Sequence, residues 1–507
     1  MSGDLVIGID SSTSATKAIA FDRTGRAVAQ GRAEIPLSNP HPGWFEQDPE
    51  DWWHAAVTAL KAVTDAVDPA RIAGLAVSQQ RETFGLFDHE GRAVRPGMLW
   101  LDERAKAEMH AIAEELGAER LHEVSGKPMD ITPALPLYRW VADHEPAVWE
   151  KFERAGDVHA FLTWKLGGDW ASSWASADPS GLVDMKTRDW SEEILNVIGM
   201  DRAKLPTLHV SGTIMGTVSH DAAVLTGLRA GTSIMAGGGD GQCAGTGANT
   251  LDATSAYLNL GTALVSGVYS ADYAADPAFR TMGAVAETGY IFESCLRTGT
   301  FLVDWVVTRM FGLDPKADPQ VFAMLEHEAA ASPIGANGLM VVPYWSGSMT
   351  PHWDAAARGL FAGLNASHTR GDLYRAVLEG MALDQAQATA SAQAFTGTRV
   401  ENYVAIGGGA SSDFWCQIMA DATGRRVDRS DVIEASALGA AMAAAKGAGW
   451  FETIPDAAAA MTGTITDRFE PDPERHARYA ELLALYQDLW PLVSDWNRRL
   501  VAFAGAA

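Results

Sequence analysis

The sequence predicts an α/β protein built as two similar halves. Two observations carry this. The chain opens with three closely spaced strand patterns and then alternates strand with helix. A short polar turn between two apolar strands occurs near the start and again past the middle, each time followed downstream by a strand, a glycine corner and a helix.

The elements follow in chain order. "DLVIGID" is an apolar run that reads as a buried strand ending at Asp10, and "SSTSAT" is turn chemistry. "KAIAFD" and "AVAQGRAEI" are strands separated by the turn "RTG". "DPEDWWHAAVTALKAVTDAV" is a helix with Asp48 as N-cap and Pro49 in its first turn. "RIAGLAVSQ" is the next strand. Residues from about 105 to 230 read as mostly helical, punctuated by Trp and Pro. "LRAGTSIMAGGGDGQCAGTGA" then gives turn, strand, glycine corner and helix start. "TSAYLNLGTALVSGVYS" is a second hairpin, and "ENYVAIGGGASSDFWCQIMADATG" a further strand, corner and helix. "SALGAAMAAA" reads as a helix packed tightly through small residues. "RHARYAELLALYQDLWPLVSDWNRRLVAF" closes the chain as a helix whose aromatics suit core packing. The halves divide as 1–250 and 251–507, with a hinge near 245–255.

The chain has 507 residues, enough for two large domains. Apolar residues make up 47% and charged residues 20%, an ordinary globular balance. A net charge of −25 provides no basic stripe for a nucleic-acid partner. Cys243, Cys295 and Cys416 are too scattered for a disulfide framework or a zinc site and suit small core positions. No stretch reads as a secretory leader or a membrane span, so the expectation is a cytoplasmic protein.

Four corners follow apolar strands: Asp10 to Lys17, Gly237 to Gln242, Leu260 to Thr262 and Gly407 to Ala410. Strand ends of an α/β sheet converge on one crevice, where hairpin amides and hydroxyls clasp a polyphosphate. Asp240 follows three glycines and opens a helix, which suits an N-cap. The same placement suits a general base that accepts the proton of an attacking hydroxyl. Asp10, also at a strand end, is placed to hold Mg²⁺ largely through water.

These motifs resemble the FGGY carbohydrate kinases, within the actin, Hsp70 and sugar-kinase ATPase superfamily, over nearly the whole chain. "GIDSSTSATKAIAFD" resembles the first phosphate loop, "GGGDGQCAG" the catalytic-Asp motif, "LNLGTA" the second phosphate loop, and "IGGGASSDFWCQIMADATG" the adenosine motif. "GLFAGLNASHTRGDLYRAVLE" is similar to the family's second signature throughout. The resemblance implies two actin-like (ribonuclease H-like) domains around a central cleft, with ATP and Mg²⁺ bound between them. It implies Asp240 as base, with Asp10 and Asp240 near the metal. It places Ser12, Thr13, Ser14 and Lys17 at the first phosphate loop and Gly261 and Thr262 at the second. Gly408, Gly409, Ala410 and Asp413 fall along the adenosine. It allows a homodimer, although no stretch marks an interface.

"SQQRETFGLFDHEGRAVRPGMLWLDERA" resembles the substrate stretch of the glycerol-kinase branch. There Arg81 would donate to, and Glu82 accept from, neighbouring hydroxyls of a small sugar or polyol. Trp100 would pack on the carbon chain, Asp102 would take another hydroxyl, and Gln80 and Gln242 complete the expected substrate set. The xylulokinase branch usually has Gln-Met-His where this chain has Gln80-Arg81-Glu82. Thr132 stands where glycerol kinases carry a tyrosine, Leu137 where the first family signature has lysine, and Ser348 and Met349 where many relatives have Glu-Arg. The expected activity is phosphoryl transfer from ATP to a hydroxyl of xylulose or another ketose, or of glycerol or another short polyol. A non-catalytic actin-like nucleotide switch would keep the phosphate loops but has no use for Asp240 with Arg81, Glu82 and Trp100 in one pocket. A dinucleotide-dependent dehydrogenase is disfavoured, since no GxGxxG opens the first strand-helix unit.

Overall fold

The computed structural model describes residues 3–397 and 399–505. The first half is organised on a six-stranded sheet. Its strands are β1 (Leu5–Ser11), β2 (Ala15–Phe21), β3 (Ala27–Glu34), β4 (Ile72–Gln79), β5 (Ile214–Thr217) and β6 (Ser233–Gly239). Their order is β5-β6-β4-β1-β2-β3. β1 to β3 form an antiparallel meander, and β4 and β6 run parallel to β1. Helix α1 (Pro49–Ala66) covers one face. The Asp48 side chain accepts from Glu50 N, so the expected cap is present, and Trp52, Ala56, Leu60 and Val63 bury against Leu5, Ile7 and Ile9. β6 leads directly into α2 (Asp240–Gly247). The stretch between β4 and β5 is largely helical, as expected, with several two- to four-residue strands inserted.

The second half repeats the plan. β7 (Ser255–Leu260) and β8 (Leu264–Ser270) form a hairpin, followed by β9 (Arg280–Gly283) and β10 (Tyr290–Leu296). After α3 (Arg370–Thr396) come β11 (Asn402–Ile406), α4 (Asp413–Thr423) and β12 (Arg426–Ser430). The chain ends with α5 (Ala435–Gly447), β13 (Ile465–Phe469) and α6 (Pro473–Gly505). The sheet order is β9-β10-β8-β7-β11-β12-β13. Its central run β10-β8-β7-β11-β12 has the same strand directions as β3-β2-β1-β4-β6. Two copies of this order are the actin-like architecture the sequence predicts.

The halves are interleaved through α5, which returns to the first sheet. A Cβ on Gly8 of β1 would lie 1.8 Å from Ala437 O, and one on Gly439 would lie 1.9 Å from Cys243 O in α2. Glycine at both positions lets β1, α2 and the returning helix α5 meet backbone to backbone. All three cysteines are buried and free, as their core assignment requires.

Two expectations are corrected. The N-cap of α2 is Gly239, and Asp240 is the first helical residue, because the chain turns helical one residue earlier than a capping Asp needs. The aromatics of α6 divide: Tyr479, Tyr486 and Trp490 are buried, while Trp496 and Phe503 are exposed. Within the second family signature, Asp372 closes a capping box with Thr369 at the start of α3, a structural role. Among the described residues no helix is long and apolar enough to cross a membrane.

Candidate active site

A cavity of about 250 Å³ opens between the two sheets. The first half lines it with Ser12, Thr13, Arg81, Glu82, Trp100, Thr132 and Asp240. The second half adds Asn259, Thr262, Arg280, Arg297 and Met349, with Ser436 at the start of the returning helix.

β1 ends at the cavity. Asp10 pairs in register with Lys17 across the hairpin and with Ser78 on β4, whose Oγ donates to Asp10 Oδ1 at 3.1 Å. Burial, then the nearby charge of Asp240, push the Asp10 carboxyl up to about 7. In the hairpin, Ser12 Oγ donates to Ala15 O at 2.9 Å, Thr13 Oγ1 accepts from Trp100 Nε1 at 2.9 Å, and Ser14 is exposed. The Trp100 ring is thereby tied to the first loop while lining the cavity. Lys17 is placed otherwise than expected: its Nζ sits 2.7 Å from Glu434 and off the cavity lining. A half-exposed ammonium takes the carboxylate that the second half brings within reach.

The Asp240 carboxylate is held asymmetrically. Gly241 N donates to Oδ1 at 2.7 Å, and Arg81 Nε lies 2.9 Å from the same oxygen. Oδ2 accepts no hydrogen bond among the described residues. Arg81 and Glu82 are both buried, and each takes its partner from the second half. Arg81 Nη1 lies 2.8 Å from Glu293, and Arg280 Nη1 lies 2.9 Å from Glu82. Burial pushes the Glu82 carboxyl up to about 7 against the pull of Arg280 and Arg81, whereas the two arginines bring that of Glu293 down to about 2 despite its burial. Glu82 adopts φ 61°, a left-handed conformation uncommon for a non-glycine residue and held here by its ion pair.

Three residues of the expected substrate set are turned away. Gln80 is buried with its Nε2 on Gln47 Oε1 at 3.0 Å. Asp102 has both oxygens spent: Arg104 N and Nε bond Oδ1, and Phe45 N and Arg104 Nη2 bond Oδ2. A buried carboxylate saturated in this way stabilises its own loop and has no acceptor left for a sugar hydroxyl. Gln242, one turn into α2, donates to Ala175 O at 2.9 Å and Asp178 Oδ1 at 3.2 Å.

Gly261 and Thr262 form the turn between β7 and β8, and their carbonyls accept from Thr300 N and Gly299 N at 2.8 and 2.7 Å. Gly408, Gly409 and Ala410 make a single 3-10 turn after β11, which runs parallel beside β7, so this corner and the second hairpin lie at the same end of the sheet. Asp413 points outward to Arg429 at 2.6 Å, and Ser412 caps α4.

Sequence reasoning missed Arg280, Glu293, Arg297 and Asp130. Arg280 and Glu293 are directly opposed on β9 and β10. The available signal was a lone Glu inside the strand "YIFESCL". Arg297 Nη2 donates to Asp130 Oδ1 at 2.6 Å and to Thr132 Oγ1 at 2.8 Å, so the Thr132 noted in the sequence does reach the cavity wall. Met349 also reaches that wall, whereas Leu137 is buried apolar core within a helix.

Two duplicated domains with phosphate-loop hairpins and an aspartate on a shared cleft define an actin-like ATPase fold. Comparison with known proteins narrows the class. Residues 5–247 match the N-terminal domain of the FGGY family of carbohydrate kinases, and residues 256–448 match its C-terminal domain. The chain belongs to the FGGY family of carbohydrate kinases. It is 30% identical to the xylulose kinase of Bacillus subtilis, over 98% of this chain and 99% of that protein. It is also 30% identical to the xylulose kinase of Escherichia coli, over 97% of this chain and 100% of that one. The crystal structure of xylulose kinase from Rhodospirillum rubrum superposes with a TM-score of 0.89 at 27% identity, covering 97% of this chain and 99% of that one.

Proposed function

We propose that this kinase transfers the γ-phosphoryl group of ATP to a terminal hydroxyl of a small ketose or polyol, with Asp240 as general base. The observation that carries the reading is the Asp240 carboxylate. It faces the cavity with one oxygen fixed by Arg81 and Gly241 and the other open, between Ser12 and Thr13 on the phosphate side and Arg81, Glu82 and Trp100 on the acceptor side. Arg81 and Glu82 grip adjacent hydroxyls, Trp100 packs on the carbon chain, and Asp240 Oδ2 accepts the proton of the hydroxyl as it attacks in line. The amides and hydroxyls of the two hairpins hold the phosphates, and Gly408, Gly409 and Ala410 border the adenosine. Most of the rate enhancement comes from positioning and charge stabilisation.

The donor set fits Mg²⁺. Asp10 and Asp240 are close enough for one charge to raise the other's carboxyl, and no larger His, Cys, Asp or Glu cluster is present among the described residues. Two carboxylates with room for water and phosphate oxygens suit this ion. When bound, it would neutralise charge on the transferring phosphates.

The xylulose activity of the relatives makes a ketose the first acceptor to test; Arg81-Glu82 keeps short polyols in the set. The test is a coupled ADP-release assay over C3 to C6 ketoses and polyols. Acceptor-dependent ADP release with a phosphorylated product supports the reading, and ADP release that ignores the acceptor rejects it.

A further inference from the structure

The acceptor fork is built from one domain and held from the other. Arg81 and Glu82 follow β4 of the first half; Glu293, Arg280 and Tyr257 lie on β10, β9 and β7 of the second. Glu293 is fully buried and is absent from the cavity lining. It accepts from Arg81 Nη1 at 2.8 and 3.0 Å, from Arg280 Nε at 2.7 Å and from Tyr257 OH at 2.6 Å, and Arg280 Nη2 lies 2.6 Å away. Arg280 then reaches Glu82 at 2.9 Å. A line of alternating charge therefore runs from Asp240 through Arg81, Glu293 and Arg280 to Glu82, crossing between the domains at each end of the Glu293–Arg280 pair.

We propose that Glu293 is a positioning residue for the acceptor: from the opposite domain it holds the Arg81 guanidinium beside Asp240 and, through Arg280, the Glu82 carboxylate. This rests on the acceptor role given above to Arg81 and Glu82. The physical argument is one of competition. A buried guanidinium with Asp240 as its sole anion would swing to pair with both carboxylate oxygens, the favoured fork geometry, and occupy the oxygen that must receive a proton. Glu293 holds Nη1, so the guanidinium is drawn between two anions and its contact with Asp240 is through Nε on Oδ1. Glu82 sits in a left-handed conformation that the surrounding structure has to enforce, and Arg280 supplies the tie. Because these ties cross the cleft, the fork has its working shape only when the domains are together. Acceptor affinity and cleft closure are thereby coupled.

The experiment is initial-rate kinetics with ATP and D-xylulose, or the best acceptor of the ketose and polyol screen, on full-length variants. Glu293→Gln is expected to raise the acceptor KM about tenfold or more while the KM for ATP moves by less than about twofold, the loss of a charged hydrogen-bond partner falling on the acceptor alone. An unchanged acceptor KM, or equal rises in both KM values with a lower Tm, would show a mere staple between domains and overturn the proposal. Should Glu293→Gln not fold, Arg280→Met and Arg280→Lys carry the test. The lysine variant is expected to retain most of the acceptor affinity that the methionine variant loses, and equal KM values in the two reject the proposal. A normal acceptor KM in Glu293→Gln alongside a dead Asp240→Asn removes the positioning role and leaves the kinase reading intact. An active Asp240→Asn with a raised acceptor KM in Glu293→Gln keeps the positioning role and takes the base role from Asp240.

Discussion

Arg81 Nε and Gly241 N converge on Asp240 Oδ1, at 2.9 and 2.7 Å, and leave Oδ2 open to the cavity. The base role proposed for Asp240 needs a fixed orientation and a free lone pair, and this arrangement offers one on each oxygen. The helix start contributes by aiming the residue; the guanidinium contributes by stopping it from rotating.

Replacing Asp240 by Asn keeps the shape and the Gly241 contact but removes the proton acceptor. Turnover is expected to fall by about 10²- to 10⁴-fold, with ATP affinity and Tm close to wild type. Near-normal kcat in a coupled assay would take the base role away from Asp240.

Arg81→Ala removes one arm of the acceptor fork and one of the two cations on Glu293. Acceptor affinity is expected to drop by about tenfold or more, with ATP affinity little changed. Calorimetry with each ligand decides; equal losses contradict the division of the cleft into an acceptor side and a nucleotide side.

Asp10 carries a pH signature. Its folded value of about 7 is raised above the ordinary 3.8, so the fold favours the neutral carboxyl. That contribution is fully present below about pH 4 and is lost as the pH rises through about 7. Asp10→Asn is therefore expected to stabilise the ligand-free protein relative to wild type at about pH 8, the gap closing towards about pH 4. On the proposed metal role of Asp10, the same variant is expected to lose activity. Chemical denaturation of both proteins across this range measures the gap; a gap that widens on acidification reverses the sign and refutes the assignment.

Gly439 tests the interleaving of the halves. An alanine Cβ there would meet Cys243 O at 1.9 Å, so α5 must move away from α2. Gly439→Ala is expected to cost about 1–3 kcal/mol as overpacking, and to lower kcat because Asp240 opens α2. Thermal melts and kinetics measure the two effects; unchanged values for both would mean that the helices do not pack this closely in solution.

Much of the fold was legible locally. The β1–β2 hairpin, the α1 cap at Asp48, the β6 strand and the second hairpin all stand where their periodicity and turn residues place them. The repeated strand order follows from the repeated hairpin theme. The positions of Asp10, Arg81, Glu82 and Asp240 at strand ends were legible because apolar strands announce their own ends. Gln80, Asp102 and Gln242 were misplaced because a neighbour in sequence inherits no orientation from the residue beside it. Gln80 and Gln242 are bound to partners far along the chain, Gln47 at 33 residues and Asp178 at 64, whereas Asp102 is taken mostly by Arg104, two residues on.

The amino-acid sequence by itself determined the duplicated α/β plan, the two polar-turn hairpins and the aspartate at the cleft, because these depend on short-range periodicity, turn chemistry and glycine placement. The tertiary structure alone decided which charges meet. Glu293 pairs with Arg81 across 212 residues and Arg280 with Glu82 across 198, contacts set by strand register and by how two domains face each other. Nothing local encodes the direction in which a buried charge is neutralised; that is chosen by whichever opposite charge the fold delivers into the same low-dielectric space.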